Sequence, residues 1–219
     1  MKQRLKRREF ARRIGLGTLS VAALGACSGE EKPGKDELTQ TDQDLFQEAL
    51  AENRLMPRDL VRQMLDQKVN LYMQRSHHCA QSSFMALSEQ FALDGEQVFR
   101  ALTPLPGIAE RGETCGAVTG PLMAMGLIYG RGIQQMENWG LYQSSLLPAG
   151  RFCDRFEQEF GTTLCHKVQE GKFGRCYRLT DPGELQDFQN DGATELCSEV
   201  VRSAVNMAAE TILDDTTLS

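Results

Sequence analysis

Seven cysteines in 219 residues are the side chains best able to do chemistry in this chain. Cys27 stands apart, at the end of an apolar N-terminal run. The other six are Cys79, Cys115, Cys153, Cys165, Cys176 and Cys197. In an exported protein, an even number of cysteines counts first as a set of disulfides. Their neighbourhoods nevertheless differ. Cys197 falls in line with Val201, Val205, Ala208 and Ile212, spaced four, four, three and four, a helical stripe that faces a core. Cys79 shares a helix face with Ser82, Ser83 and Ala86, and Cys115 is followed by Gly116, Ala117 and Gly120. Small residues beside a sulfur leave two readings: close packing of helices, or room for a bulky inorganic group.

Four segments in order carry a resemblance: Cys79-Ala80-Gln81-Ser82, Cys115-Gly116-Ala117-Val118-Thr119-Gly120, Phe160-Gly161-Thr162-Thr163-Leu164-Cys165, and Cys197 with its Val/Ala-rich helix. Together they resemble the C_GCAxxG_C_C family, redox-active proteins related to the C-terminal part of split-Soret cytochromes. The resemblance runs over about residues 70–213 and implies a helical fold. It also implies four functional cysteines, here Cys79, Cys115, Cys165 and Cys197, as redox-active, cofactor-binding or metal-ligating side chains. Two features depart from the pattern. Pro121 enters the helix after the motif, and Cys153 and Cys176 are additional to the four.

Three chemistries stay open for such a set. An iron–sulfur cluster needs four thiolates converging on one point, with hydrogen-bond donors and little water. The relation to split-Soret cytochromes favours it. The separations of 36, 50 and 32 residues are unlike ferredoxin runs, so the fold would have to gather the sulfurs. Thiol–disulfide exchange by two pairs is the second chemistry. The Cys-Xaa-Xaa-Cys arrangement that lowers a thiol pKa is missing, but a helix start near Cys115 could do the same. Purely structural disulfides are the third, each worth about 2–4 kcal/mol. Cys153 and Cys176 read first as a structural disulfide pinning a loop, and alternatively as a source of one replacement ligand.

The elements that must position these residues read as helices, with few period-two runs that would suggest strands. Phe46, Leu50 and Leu55 suggest a first short helix. A second is expected to open on Pro57 and run to about Gln74, and a third to cover His78 to Phe91. A short helix follows Gly95 and stops before the turn Thr103-Pro104-Leu105-Pro106-Gly107. A fourth main helix is expected from near Cys115 to Tyr129, kinked or truly begun by Pro121. A fifth spans about Leu147 to Phe160, residues 166–192 read as one long polar loop, and the last helix covers Thr194 to Leu213. The expected fold is an all-α bundle of about five to six helices.

The N-terminus reads as an address. Arg7-Arg8-Glu9-Phe10 precedes an apolar run from Ile14 to Ala26. That run is too short to span a bilayer core of roughly 30 Å as a helix. Paired arginines before a mild, Gly-containing run fit a twin-arginine signal peptide over residues 1–26, with a general secretory signal as the alternative. Leu24-Gly25-Ala26-Cys27 resembles the bacterial lipoprotein box, which makes Cys27 the expected lipidation residue; the alternative is a plain small-residue cleavage site. Residues 27–43 then form a polar tether and 44–219 the folded redox domain. Residues 1–26 hold seven basic side chains and one acid, so the remainder keeps 17 basic and 29 acidic residues, a net charge of −12. An acidic body argues against nucleic acid as a partner.

Other signals carry less. Leu164-Cys165-His166 ends like a haem-attachment motif, but Thr162 stands where the first cysteine belongs, so covalent haem is not expected. His77 and His78 precede Cys79 and read as capping or solvated, with tuning or ligation of the site as the alternative. Met123 and Met125 read as core filler, and the glycine-rich stretch after Gly126 as a helix end. The whole reading is of an electron-transfer protein more than a substrate-turning enzyme. It would sit at the periplasmic face as a lipoprotein, holding an iron–sulfur cluster and exchanging electrons with a membrane-associated oxidoreductase. A thiol–disulfide oxidoreductase and a non-catalytic, disulfide-stabilised accessory subunit are the alternatives.

Overall fold

A computed structural model describes residues 40–218, and every regular element among them is a helix, as the sequence predicts. Arg7, Arg8 and Cys27 lie outside the described residues. In chain order the helices are α1 (Gln40–Leu55), α2 (Arg58–Ser76), α3 (Cys79–Gln90), α4 (Glu96–Ala101) and α5 (Gly107–Glu110). After them come α6 (Gly116–Tyr129), a 3-10 turn (Ile133–Gln135), α7 (Trp139–Phe160), α8 (Cys165–Phe173), α9 (Pro182–Asn190) and α10 (Ala193–Leu213). Helix α1 begins inside the segment read as a tether.

Apolar spacing explains which helices form the centre. On α2, Val61, Leu65, Val69 and Met73 recur every four residues, and all are buried. On α10, Val201, Val205, Ala208 and Ile212 do the same, as the sequence stripe requires. Helix α3 is buried on nearly every side, through Ala80, Ser83, Phe84, Ala86 and Leu87, and packs between α2, α6 and α10. Phe84, Phe91, Phe152 and Phe156 are fully buried. Each contributes about 1.5–3 kcal/mol by leaving water.

The long polar loop expected at 166–192 is not there; that stretch carries most of α8 and all of α9. Local chemistry accounts for both. Gly174 adopts a left-handed conformation at φ 73° and stops α8. Asp181 caps α9 by accepting from the Gly183 and Glu184 N–H groups at 2.9 and 3.0 Å, with Pro182 in the first turn. Helix α7 starts eight residues before the expected Leu147, capped by Asn138, whose side chain accepts from Leu141 N–H at 2.9 Å. Pro121 lies inside α6 and does not begin it.

Candidate functional site

Three of the four motif cysteines stand at helix starts. Cys79 is the first residue of α3, Cys115 caps α6 from the preceding position, and Cys165 is the first residue of α8. A short antiparallel clasp sets the last two side by side. Cys115 N–H donates to Thr163 O at 2.8 Å and Cys165 N–H to Glu113 O at 2.7 Å, around the bridge between Thr114 and Leu164. Cys197 comes from the first turns of α10. All four cysteines line one cavity of about 430 Å³. The fold gathers the set that the sequence left scattered.

The motif glycines explain how α6 comes so close to α3. A Cβ on Gly116 would lie 2.2 Å from Cys79 Sγ and 2.8 Å from Ala80 N. One on Gly120 would lie 2.0 Å from Ser83 Oγ and 2.3 Å from Ala80 O. No side chain fits at either position, so these two small residues serve close helix packing. Their effect on the site is direct, because the space at Gly116 is occupied by the Cys79 sulfur. Of the two readings left open for the small residues, helix packing therefore holds for this pair.

The thiols differ in electrostatics. The Cys115 thiol is buried and donates toward Cys165 and Cys79; this hydrogen bonding, then burial, pushes its pKa well up. Cys165 receives the Cys115 hydrogen bond, the largest influence on it, and a second from Gln169 Nε2 at 3.6 Å. These outweigh burial and lower its pKa. Burial first, then the charges of Cys79 and Cys165, push Cys197 up, with Lys172 opposing. Ionisation is thus favoured at Cys165 and disfavoured at Cys115 and Cys197. Among the described residues no three His, Cys, Asp or Glu side chains are placed to hold a single metal ion.

Backbone strain surrounds Cys165. Gly107, Ile108, Ala109 and Glu110 are consecutive residues with φ between 48° and 59°, so α5 is a left-handed turn. For non-glycine residues such a turn costs about 1–2 kcal/mol each. A Cβ at Gly107 would meet Cys165 Sγ at 3.5 Å, so the turn lies against that sulfur. His166 holds the same loop, its Nδ1 lying 2.6 Å from Gly112 O.

The remaining expectations sort out by position. His78 caps α3: its Nδ1 accepts from Gln81 N–H at 3.1 Å, so the proton sits on Nε2, which donates to Thr103 O at 3.1 Å. With both nitrogens engaged, His78 supports the helix rather than ligating. His77 ends α2 in a left-handed conformation, its Nδ1 2.8 Å from Thr194 Oγ1. Both rings line the cavity. Cys153 and Cys176 are free thiols, not joined as the expected disulfide. Cys153 is half-buried on α7 beside Asp154 and Glu157, whereas Cys176 is exposed after α8, near Lys167. Sequence reading missed Gln169, which also accepts from Tyr177 N–H at 2.9 Å, and missed the cavity wall of Phe173, Leu185 and Phe188. The Asp181-Pro182 capping pair and Gly174 were the available signals for that wall.

A family model described as "Putative redox-active protein (C_GCAxxG_C_C)" matches residues 77–211. Neither a curated protein nor a solved structure matches the chain significantly.

Proposed function

Because the chain belongs to the C_GCAxxG_C_C family of redox-active proteins, we propose that Cys79, Cys115, Cys165 and Cys197 hold an iron–sulfur cluster that exchanges electrons with a protein partner. The observation that carries this reading is the convergence of four thiols, from four helices, on one largely apolar cavity. Without a cation, that donor set is electrostatically unfavourable. Hydrogen bonds donated to Cys165 and Cys79, then burial, disfavour ionisation of Cys115, burial and then repulsion disfavour it at Cys197, and metal coordination is what deprotonates such thiols outright. When bound, a cluster supplies a one-electron couple. The protein supplies the rest. The starts of α3, α6 and α8 turn the positive ends of three helix dipoles toward the sulfurs, favouring the thiolate form. Gln169 adds a hydrogen bond to Cys165 Sγ, and the apolar walls limit water.

Cellular placement follows from the N-terminal residues. A twin-arginine signal around Arg7 and Arg8 would export the chain already folded, with a cofactor in place, and Cys27 would anchor it at the periplasmic face. Among the described residues no helix is long and apolar enough to cross a membrane. The expected electron partner is a membrane-associated oxidoreductase.

A second reading rests on the lowered pKa of Cys165 beside Cys115. The Cys165 thiolate would attack a partner disulfide, and Cys115 would resolve the mixed disulfide. That leaves a Cys115–Cys165 bond here and two reduced thiols on the partner. Iron and acid-labile sulfide in anaerobically produced protein decide between the readings. The cluster predicts both elements, lost on Cys→Ser substitution at any of the four positions and kept in Cys153→Ser and Cys176→Ser. Iron-free protein that reversibly oxidises one thiol pair supports exchange. Iron-free, redox-inert protein overturns both.

A further inference from the structure

The end of the molecule opposite the cysteine cavity carries an apolar surface that stands exposed among the described residues. Ile133 is 63 % exposed, Met136 65 %, Trp139 62 % and Leu147 64 %, with Leu146 close behind. Trp139, Tyr142, Leu146 and Leu147 follow i, i+3, i+7, i+8 spacing, so the first two turns of α7 present one amphipathic face. The helix joins the core only from Pro148 onward, through Phe152 and Phe156. The face is ordered by its own contacts. Trp139 and Tyr142 pair at 4.8 Å between ring centroids, and the Arg131 guanidinium lies 4.9 Å above the Tyr142 ring.

We infer that this face, residues 130–147, rests on a lipid bilayer surface. Three observations choose that occupant. First, residues 130–147 contain only two charged side chains, Arg131 and Glu137, in a body whose net charge is −12. An acidic protein is repelled by anionic lipid; Asp42, Asp44 and Asp94 line the neighbouring groove, so it is the nearly neutral segment 130–147 itself, not the acidic surface around it, where approach costs least. Second, the composition is interfacial: Trp and Tyr beside Ile, Met and Leu, each aromatic ring having an apolar body and a polar edge. Third, the chain arrives at this end. Phe46 and Gln47 of α1 share a groove with Leu127 and Ile128 in the last turn of α6, immediately before residue 130. Only residues 28–39 separate α1 from Cys27, a reach of at most about 40 Å. A lipid on Cys27 would keep the domain within that reach of a membrane, and the apolar face would then select which end meets it.

The orientation has a consequence for electron exchange. Helix α6 has 14 residues, and Cys115 caps its start while the apolar face begins just past its end. At 1.5 Å per residue the cavity stands about 20 Å from that face. The redox site therefore points away from the bilayer, accessible to a partner that projects from the membrane or diffuses beside it.

The proposal rests on the lipidation of Cys27, and its test separates the two. Trp139 is the chain's single tryptophan, so its emission reports this face alone. The full mature protein is purified from membranes, the lipid on Cys27 is read by mass spectrometry, and the protein is reconstituted into phosphatidylethanolamine/phosphatidylglycerol vesicles with or without brominated acyl chains. The expected result is a blue-shifted Trp139 emission that brominated lipid quenches. Ile133→Glu with Leu147→Glu, both at exposed positions, should abolish the quenching while the anchored protein still floats with vesicles. If Cys27 proves unmodified, the protein is added to the same vesicles from solution, and quenching supports the surface without the anchor. Unquenched emission in either format overturns it, as does a dimer that buries Trp139 equally with and without lipid.

Discussion

Placing a methyl group on each of three glycines along α6 separates close packing from simple helix preference. At Gly126 nothing lies within 4 Å of the new Cβ. Alanine there should stabilise by about 0.5–1 kcal/mol, the usual helix gain over glycine. For a domain of this size that raises Tm by roughly 1–4 °C. At Gly120 the Cβ would sit 2.3 Å from Ala80 O, a backbone atom of α3 that cannot rotate away. Relief requires α3 and α6 to separate, which places the cost near the upper end of overpacking, about 3 kcal/mol, or about 2 kcal/mol after the same helix gain. Gly120→Ala should therefore lower Tm by roughly 4–8 °C. Thermal and urea unfolding followed by far-UV circular dichroism measure both variants under one set of conditions. Gly116→Ala should destabilise comparably and also displace the Cys79 sulfur, so on the proposed cluster reading it alone should lower iron content as well. If Gly120→Ala proves as stable as Gly126→Ala, the helices can part without cost, and the packing account of the motif glycines is wrong.

Two further outcomes follow from the thiol electrostatics. In cluster-free, reduced protein, Cys165 should alkylate at lower pH than Cys115 or Cys197, and Gln169→Leu should shift its reactivity to higher pH by removing a donor to its sulfur; peptide mapping after a pH series with iodoacetamide reads both. The Cys197 pKa is raised above the ordinary value of 9.0 mainly by burial, so folded protein keeps the proton that unfolded protein releases. The stability linked to this group is fully present below pH 9 and declines as pH rises beyond it. Urea midpoints of the cluster-free protein should fall above pH 9, and less steeply in Cys197→Ala; equal slopes would show that Cys197 is not buried as a neutral thiol.

The legible parts of the fold were those whose cause is local. The α10 stripe from Val201 to Ile212 and the α2 residues Val61 to Met73 repeat at helical spacing, and both bury as that spacing requires. The segment 166–192 went astray because its abundant Lys, Gly and Asp residues outweighed two capping signals, Gly174 and Asp181, that set real helix ends. At the site, the motif resemblance singled out the four cysteines. Nothing in their order along the chain foretold Gln169, whose role depends on facing Cys165 one helical turn away. The proposed Cys153–Cys176 bond arose from counting two leftover sulfurs. Their surroundings turned out to be unrelated, one half-buried on α7 and the other exposed after α8.

Residue order alone determined that this chain is helical, acidic beyond its N-terminal segment and endowed with four cysteines in a recognisable motif, because periodicity, charge and motif are properties of neighbours along the chain. Tertiary structure decided everything that depends on distance between remote residues. It packed Gly116 against Cys79, set Cys115 beside Cys165 through a two-bond clasp, and turned Cys197 into the same cavity. A sulfur's pKa and its capacity to share a ligand come from burial and from atoms a few Å away, and only folding brings those atoms together.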